Sequence, residues 1–292
     1  MGRTGPLRAV GRRARPPAEH RPGPDRRQKD RTVRHLIQRH PIPIRTHFAH
    51  SLVLTYALPA EVLRPLVPPA LDLDTYRAGP EEPRYGFVAV ALVDTRALRP
   101  AAVPARLGRD FLLTGYRVFT RFPTPDGRTM RGLRILRSDT DRHLMRLGGN
   151  LLTRYNYRRA HIRTCVSDGI LEFRVDSADG HADLTVRADL RSAPAPLPPG
   201  SPFTDARAAR RFAGPLPYTF EYEARTRSVI VVKASRAQWD PRPVRVDVDR
   251  LTFFDHGPLA HTHPVLANAF HVSGVDYGWE RGVRRDESGG AR

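Results

Sequence analysis

The sequence predicts a mainly β fold, a β-rich α+β domain built on an antiparallel, barrel-like sheet with two or three short helices. About ten to twelve β-rich runs follow one another, without the strand–helix alternation that parallel sheets require. Asp-Gly pairs at 126–127, 168–169 and 179–180 separate several of these runs. Such pairs indicate hairpins, because both central residues of a type I′ turn need positive φ.

Composition divides the chain into three parts. Residues 1–40 contain twelve arginines and lysines but three acids, which is typical of a disordered basic tail. Residues 41–283 are expected to form a single β-rich globular domain, and residues 284–292 a disordered C-terminal tail. No run of about 18 apolar residues occurs, so we expect no membrane partner. The one cysteine, Cys165, fits the reducing cytoplasm.

The net charge of +19 comes almost entirely from arginine. Beyond residue 40 the arginines are dispersed and no nucleic-acid recognition motif occurs, so no specific nucleic-acid partner is expected. The arginine-rich tail could still bind a polyanion, which leaves an interaction protein as an alternative function. Nothing resembles a phosphate loop or a dinucleotide fingerprint, so no cofactor is expected. His256, His261 and His263 lie in a loop-like segment and are expected to face solvent rather than a metal.

The stretch from Phe111 to Tyr157 carries the most oriented polar side chains, and its pattern predicts strand, turn, strand, helix, strand. Ser138 is expected to cap the helix, and Gly148-Gly149 to end it.

Two other segments are distinctive. Residues 85–95, YGFVAVALVDT, predict a central strand that is covered on both faces. A second helix should follow Ser201 and end at residues 214–215.

The hairpin around residues 126–127 fixes which side chains can meet. Pro123 and Pro125 flank this turn, so a loop longer than two residues is an alternative. With a two-residue loop, Tyr116 would face Arg137, and Arg117 would share the opposite face with Arg134. Arginines in runs this apolar must reach water or meet an acidic partner.

Nine residues are candidates for a ligand site. They are Tyr116, Arg117, Arg134, Arg137, Asp139, Asn150, Tyr155, Tyr157 and Lys233. Guanidinium matches carboxylate geometry bidentately, so the three arginines could clamp a small carboxylate or another oxygen-rich ligand. The alternative is structural ion pairing between these arginines and the aspartates that follow them.

Lys233 is the only lysine after residue 40. Alternation along SVIVVKAS places it on one face with Val229 and Val231, where burial could make it a nucleophile. The alternative is a lysine at a strand end that reaches solvent. Glu221 and Glu223 are two residues apart on PYTFEYEA. They could act as a general acid and a general base, or could lie on an exposed edge.

Several segments together resemble a known family. They are LTYALPAEVLRPLVPPALDLDTY (54–76), YGFVAVALVDTRALRP (85–100), the block FLLTGYRVFTRF to NLLTRYNYRR (111–159), Pro199-Gly200-Ser201, Trp239-Asp240-Pro241 and GVDYGWERG (274–282). In order and spacing they resemble the domain-of-unknown-function 2071 (YqjF-like) family, of the acetoacetate-decarboxylase-like superfamily. The resemblance implies a β-rich, barrel-like body with a central cavity.

Acetoacetate decarboxylase itself uses a lysine that forms a Schiff base with a β-keto acid. The stretch 111–157 contains no lysine, and arginine cannot replace it because an imine requires a neutral amine. This chain also has FLLTG where much of the family has an FPELN-type segment. We therefore expect a cytoplasmic protein that binds a small anionic or oxygen-rich ligand in an interior cavity. The alternative is a lyase or decarboxylase that acts on a keto acid through arginine electrostatics.

Overall fold

The computed structural model describes residues 1–2, 37–124, 126–191 and 195–287. In these ranges the strands are β1 Ile44–Pro59, β2 Asp72–Leu73, β3 Tyr85–Pro100, β4 Arg109–Pro123, β5 Thr129–Thr140, β6 Tyr157–Ser167, β7 Ile170–Ser177, β8 Leu184–Asp189, β9 Tyr218–Glu223, β10 Ser228–Arg236, β11 Arg242–Pro243, β12 Arg245–Leu251, β13 Val265–Trp279 and β14 Val283–Asp286. The α-helices are α1 Ala60–Leu63, α2 His143–Leu152 and α3 Ala206–Ala213. The predicted β-rich class with short helices is confirmed.

Seven strands close in a ring. The order β5-β9-β10-β13-β1-β3-β4 returns to β5 through a β4–β5 pairing. Two pairings, β5 with β6 and β5 with β9, are parallel, so the sheet is mixed rather than wholly antiparallel. From β5 the sheet continues as a wing of β6, β7, β8 and β12.

Strand alternation divides the ring strands between two environments. On β1, Leu52 and Leu54 enter the large apolar core, which also holds side chains of the wing. Ser51, Val53 and Thr55 alternate with them and line a cavity on the opposite face. β3 is buried on both faces over residues 86–95, as its unbroken apolar run predicts.

The β4–β5 hairpin has the longer loop that the sequence left open. Pro123 pairs with Thr129, so the loop spans residues 124–128. A bulge at Leu136 then restores the predicted pairing of Tyr116 with Arg137. Between the loop and the bulge, each β4 residue pairs with the β5 residue one position before the partner that a two-residue loop would give it. Arg134 therefore lies opposite Val118 and does not share a face with Arg117, as it would have done with a two-residue loop.

Helix α2 begins later than the sequence suggested. Ser138 does not cap it, because residues 138–140 continue β5 and pair in parallel with 157–159. Gly149 does not end it either, since α2 runs on to Leu152. A β-carbon at Gly149 would overlap the ring of Tyr157, so this glycine serves close packing.

The ordered body extends beyond both expected domain limits. Gln38 donates a hydrogen bond through Nε2 to the carbonyl of Asn150, and the His40 amide donates to the carbonyl of Leu152. At the other end, β14 pairs with β10, so residues 284–286 belong to the sheet rather than to a tail. Residues 3–36 of the predicted N-terminal tail and residues 288–292 lie outside the described ranges.

The other turn predictions can be compared directly with the structure. The β6–β7 hairpin turns on Asp168-Gly169, which have φ values of 50° and 74°. Both values are positive, as a type I′ turn requires. The second helix, α3, begins after Asp205, whose carboxylate accepts a hydrogen bond from the Ala208 amide, and it ends at Gly214 as predicted.

Candidate functional site

A cavity of about 70 Å³ lies against the face of β1, β3 and β4 that turns away from the large core. The end of β10, the segment after α3 and the C-terminal half of β13 complete its walls. Its polar lining side chains are Ser51, Thr55, Arg117, Arg236, Trp239 and Tyr277, and the rest of the wall is mainly apolar and aromatic.

Arg117 reaches the cavity because alternation on β4 turns it away from Tyr116. Its Nε atom is buried and has no hydrogen-bond partner among the described residues. The guanidinium folds back along the strand over Gly115, where a β-carbon would approach Nε to 3.1 Å. A glycine two residues before the arginine therefore makes room for the cation.

Arg236 approaches the same cavity from the end of β10. Its Nη2 donates a hydrogen bond of 2.8 Å to the carbonyl of Pro215, which holds it to the segment after α3. The guanidinium carbon lies 5.2 Å from the centre of the Trp239 ring, within range of a cation–π interaction. The cavity thus has a second cation in a defined position.

The charge of these walls is not balanced locally. Two guanidinium groups line the cavity, and no aspartate or glutamate occurs among the described residues that line it. Two further buried polar atoms, Thr55 Oγ1 and Trp239 Nε1, also lack a partner within the described structure. Buried donors are rarely left unpaired, so this wall is suited to an acceptor-rich anion.

Tyr155 and Tyr157 lie behind Arg117 in a neighbouring aromatic cluster. Burial raises the pKa of both phenols, and the positive charge of Arg117 partly offsets the rise. Both therefore remain neutral hydroxyl groups at physiological pH.

Glu221 on β9 is buried near the same tyrosines. Burial raises the pKa of its carboxyl group to about 8. The Arg154 amide, which donates to Oε1 and Oε2 at 3.3 and 3.2 Å, and the charges of Arg154 and Arg134 oppose that rise. Glu221 is thus mainly protonated at neutral pH and does not neutralise the cavity arginines.

Other predicted site residues have structural partners away from the cavity. Tyr116 is fully buried in the large core, stacks on Phe253 and donates its hydroxyl to the carbonyl of Ala182 at 3.2 Å. Arg137 is buried and bonds both carboxylate oxygens of Asp139 at 2.7 Å. It also bonds Asp179 at 2.8 and 2.9 Å. Arg137 thus forms the structural ion pairs that were the alternative to a clamp.

Three further candidates also lie outside the cavity wall. The side chain of Asn150 bonds the backbone of Tyr157. It donates to the Tyr157 carbonyl and accepts from the Tyr157 amide, both at 2.8 Å. Arg134 is half-buried near Glu221, and burial lowers its pKa. Lys233 is exposed on β10, so it does not share the burial of Val229 and Val231.

Sequence reasoning missed Arg236, Trp239 and Tyr277 as cavity residues. The segments that hold Trp239 and Tyr277 carry the family resemblance, but nothing in the local pattern links them to Arg117, more than one hundred residues earlier. Only closure of the ring brings the end of β10 and the C-terminal half of β13 to the cavity side of β4.

A larger groove lies beside the cavity and shares Leu113 and Trp279 with it. Its volume is about 850 Å³, and Tyr155 and Tyr157 contribute to its floor. The groove runs between α2, the segment before β1 and the β3–β4 connection.

Comparison with known proteins identifies the family. The family model DUF2071, described as an uncharacterized conserved protein, matches residues 45–275. The chain belongs to the DUF2071 family. No curated protein matches its sequence.

Solved structures similar to this DUF2071 chain share the acetoacetate decarboxylase-like fold. Acetoacetate decarboxylase from Legionella pneumophila is 14% identical with a TM-score of 0.55, covering 84% of this chain and 87% of that one. The enduracididine biosynthesis enzyme MppR, complexed with the condensation product of pyruvate and imidazole 4-carboxaldehyde, is 13% identical with a TM-score of 0.56, covering 85% and 90%. An acetoacetate decarboxylase-like enzyme from Sphingomonas wittichii is 11% identical with a TM-score of 0.52, covering 85% and 93%. At these identities the likeness concerns the fold.

Proposed function

We propose that this protein binds a small organic carboxylate in the cavity against β4, with Arg117 and Arg236 as the recognising cations. The observation that carries the proposal is the charge of the wall: two guanidinium groups line the cavity, and no carboxylate side chain does so among the described residues. A cation that is removed from water is stabilised by an anion held within hydrogen-bonding distance.

The unpaired polar atoms support a ligand rich in acceptors. Arg117 Nε and Trp239 Nε1 can only donate, and the Thr55 hydroxyl can donate as well. All three residues line the cavity. A carboxylate offers two oxygens with about four acceptor positions, enough to use these donors together.

The size of the cavity supports a short ligand. A volume of about 70 Å³ corresponds to about two water molecules, which limits the ligand to a few non-hydrogen atoms. One structure with a similar fold is MppR complexed with pyruvate, a keto acid in this size class.

Binding does not require an imine. No lysine occurs among the described residues that line the cavity, and Lys233 on β10 is exposed. Recognition in this proposal is electrostatic, through fixed guanidinium groups in a largely apolar wall. A cytoplasmic location is part of the proposal, in keeping with a single cysteine in 292 residues.

Thermal-shift and calorimetric titrations with acetate and pyruvate test the proposal, with acetamide and pyruvamide as neutral isosteres. We expect the acids to bind and the amides not to. Arg117→Gln and Arg236→Gln should each weaken acid binding by about tenfold or more, because a hydrogen bond to a charged group contributes roughly 1.5–3 kcal/mol. Arg128→Gln, on a hairpin arginine whose side chain is 86% exposed, is the matched control. Equal binding of acids and amides, or unchanged acid binding in both cavity variants, would refute the proposal.

A further inference from the structure

The face around α2 exposes an unusual concentration of large apolar side chains. Among the described residues, the exposed large hydrophobic residues are Met1, Ile42, Leu107, Leu144, Leu147, Leu151, Val166 and Val283. Five of these eight, Ile42, Leu107, Leu144, Leu147 and Leu151, lie on or beside α2 and the groove. We call these five residues the apolar face.

Spacing along α2 makes the apolar face continuous. Leu144, Leu147 and Leu151 are three and four residues apart, so they lie on one side of the helix. They are 73%, 59% and 51% exposed. The groove of about 850 Å³ continues this surface inward, with Phe111, Leu152 and Trp279 among its walls. A contiguous apolar surface of this kind marks a site of protein or membrane contact.

Positive charge surrounds the apolar face. Arg106, Arg109 and Arg142 are exposed next to it. Two aspartates lie nearby. Asp110 accepts from the Ala97 amide and Asp141 from the Leu112 amide, both at 2.8 Å, and Asp141 also lies 3.4 Å from Arg142. Three exposed arginines against two aspartates leave the rim with a net positive charge.

The most basic segment of the chain joins the body at the same face. Residues 1–40 contain twelve basic and three acidic residues. This segment meets the body where Gln38 and His40 bond the carbonyls of Asn150 and Leu152 at the end of α2. The apolar surface and its basic rim thus lie on the side of the molecule where this segment is attached.

We propose that the apolar face docks on the surface of an anionic lipid bilayer, with the leucines of α2 entering the interface and the arginines contacting lipid headgroups. Stable interfacial binding generally takes two signals, buried apolar area and attraction of basic residues to anionic lipid, and both occur here. This proposal departs from the expectation of no membrane partner, which rested on the absence of a spanning segment. No helix in the described part is long and apolar enough to cross a bilayer, and interfacial docking needs none.

Vesicle flotation with the full-length protein tests this docking surface. The probes are vesicles of phosphatidylcholine alone and of phosphatidylcholine with phosphatidylglycerol. We expect binding to the anionic vesicles only, weakening as salt is raised. The triple variant Leu144→Gln/Leu147→Gln/Leu151→Gln should reduce the bound fraction by about tenfold or more. Arg109→Gln/Arg142→Gln should reduce it by a similar factor.

The control variant Val166→Gln/Val283→Gln replaces apolar residues that are similarly exposed, at 49% and 50%, but lie elsewhere, and it should bind like the wild type. Each variant should fold, because all substituted side chains are exposed or on the rim. Circular dichroism checks this. Wild-type binding by the triple variant, or equal binding to both kinds of vesicle, would overturn the proposal. So would a wild-type dimer that fails to bind vesicles and becomes a monomer in the triple variant, because the face would then join two copies.

Discussion

The guanidinium group of Arg117 lies over the α-carbon of Gly115, two residues earlier on β4. A β-carbon at position 115 would lie 3.1 Å from Nε and 3.2 Å from Nη2 of Arg117. The absence of a side chain at position 115 therefore leaves space for the cation.

Gly115→Ala is predicted to displace the Arg117 guanidinium without unfolding the protein. The tip of an arginine side chain is flexible, so the melting temperature without ligand should change little. Acetate or pyruvate affinity should fall by about three- to tenfold, because a bidentate contact is sensitive to such shifts. Gly148→Ala is the control, since a β-carbon there meets nothing within 4 Å, and it should leave affinity unchanged. Undiminished acid affinity in Gly115→Ala would show that the glycine does not position the cation.

Arg137 is predicted to contribute to stability rather than to ligand binding. Arg137→Met leaves the Asp139 carboxylate buried without its cation, which should cost roughly 3–5 kcal/mol in the free energy of unfolding. Urea denaturation measures this loss. Arg158→Met removes a half-exposed arginine from the same network and should cost about 1 kcal/mol or less. A cost below about 1 kcal/mol for Arg137→Met would contradict this role.

Lys233 is predicted not to form an imine. An exposed lysine lacks the low-dielectric surroundings that produce a nucleophilic amine. Borohydride treatment in the presence of acetoacetate, followed by peptide mass analysis, should show no adduct at this residue. The Lys233→Met variant should bind carboxylates like the wild type. Selective trapping at Lys233 would restore the Schiff-base hypothesis.

Glu221 should make the protein less stable as pH rises. The folded-state pKa of about 8 lies above the ordinary value of 4.5, so the folded protein binds more protons than the unfolded chain between these two values. Stability therefore falls from about pH 4.5 to about pH 8 and levels off above that. Glu221→Gln keeps an acceptor for the Arg154 amide and removes the ionisation.

The Glu221→Gln variant should lose this component of the pH dependence. At pH 8.5 it should melt roughly 5 °C or more above the wild type, and near pH 4.5 the two should be similar. Differential scanning calorimetry across this range measures the effect. Parallel melting curves for the two proteins at every pH would contradict it.

Local patterns anticipated the strands better than the contacts between them. The apolar run of residues 85–95 indicated a strand buried on both faces, and Asp168-Gly169 indicated a type I′ hairpin, because each signal depends on adjacent residues alone. The start of α2 was misplaced, since Ser138 resembles a cap in sequence but pairs with β6 in a parallel ladder. A long-range hydrogen-bond ladder overrode the capping signal there.

The candidate site shows the same difference between what local sequence patterns indicate and what long-range contacts decide. Arg117 was identifiable because an arginine in an apolar strand requires a partner or water. Arg137 gave the same signal and proved to be an ion-paired structural residue, because the partner Asp179 comes from a distant turn. Sequence spacing could not separate the two arginines.

By itself, the sequence determined the β-rich class, the hairpin at Asp168-Gly169, the family and the absence of a lysine from residues 111–157, since these follow from adjacent residues and from composition. Tertiary structure decided which arginine is neutralised and which faces a cavity with Arg236 and Trp239. The physical reason is that a one-residue difference in loop length or a single bulge moves a strand's side chains to the opposite face, and only the closed sheet fixes that register.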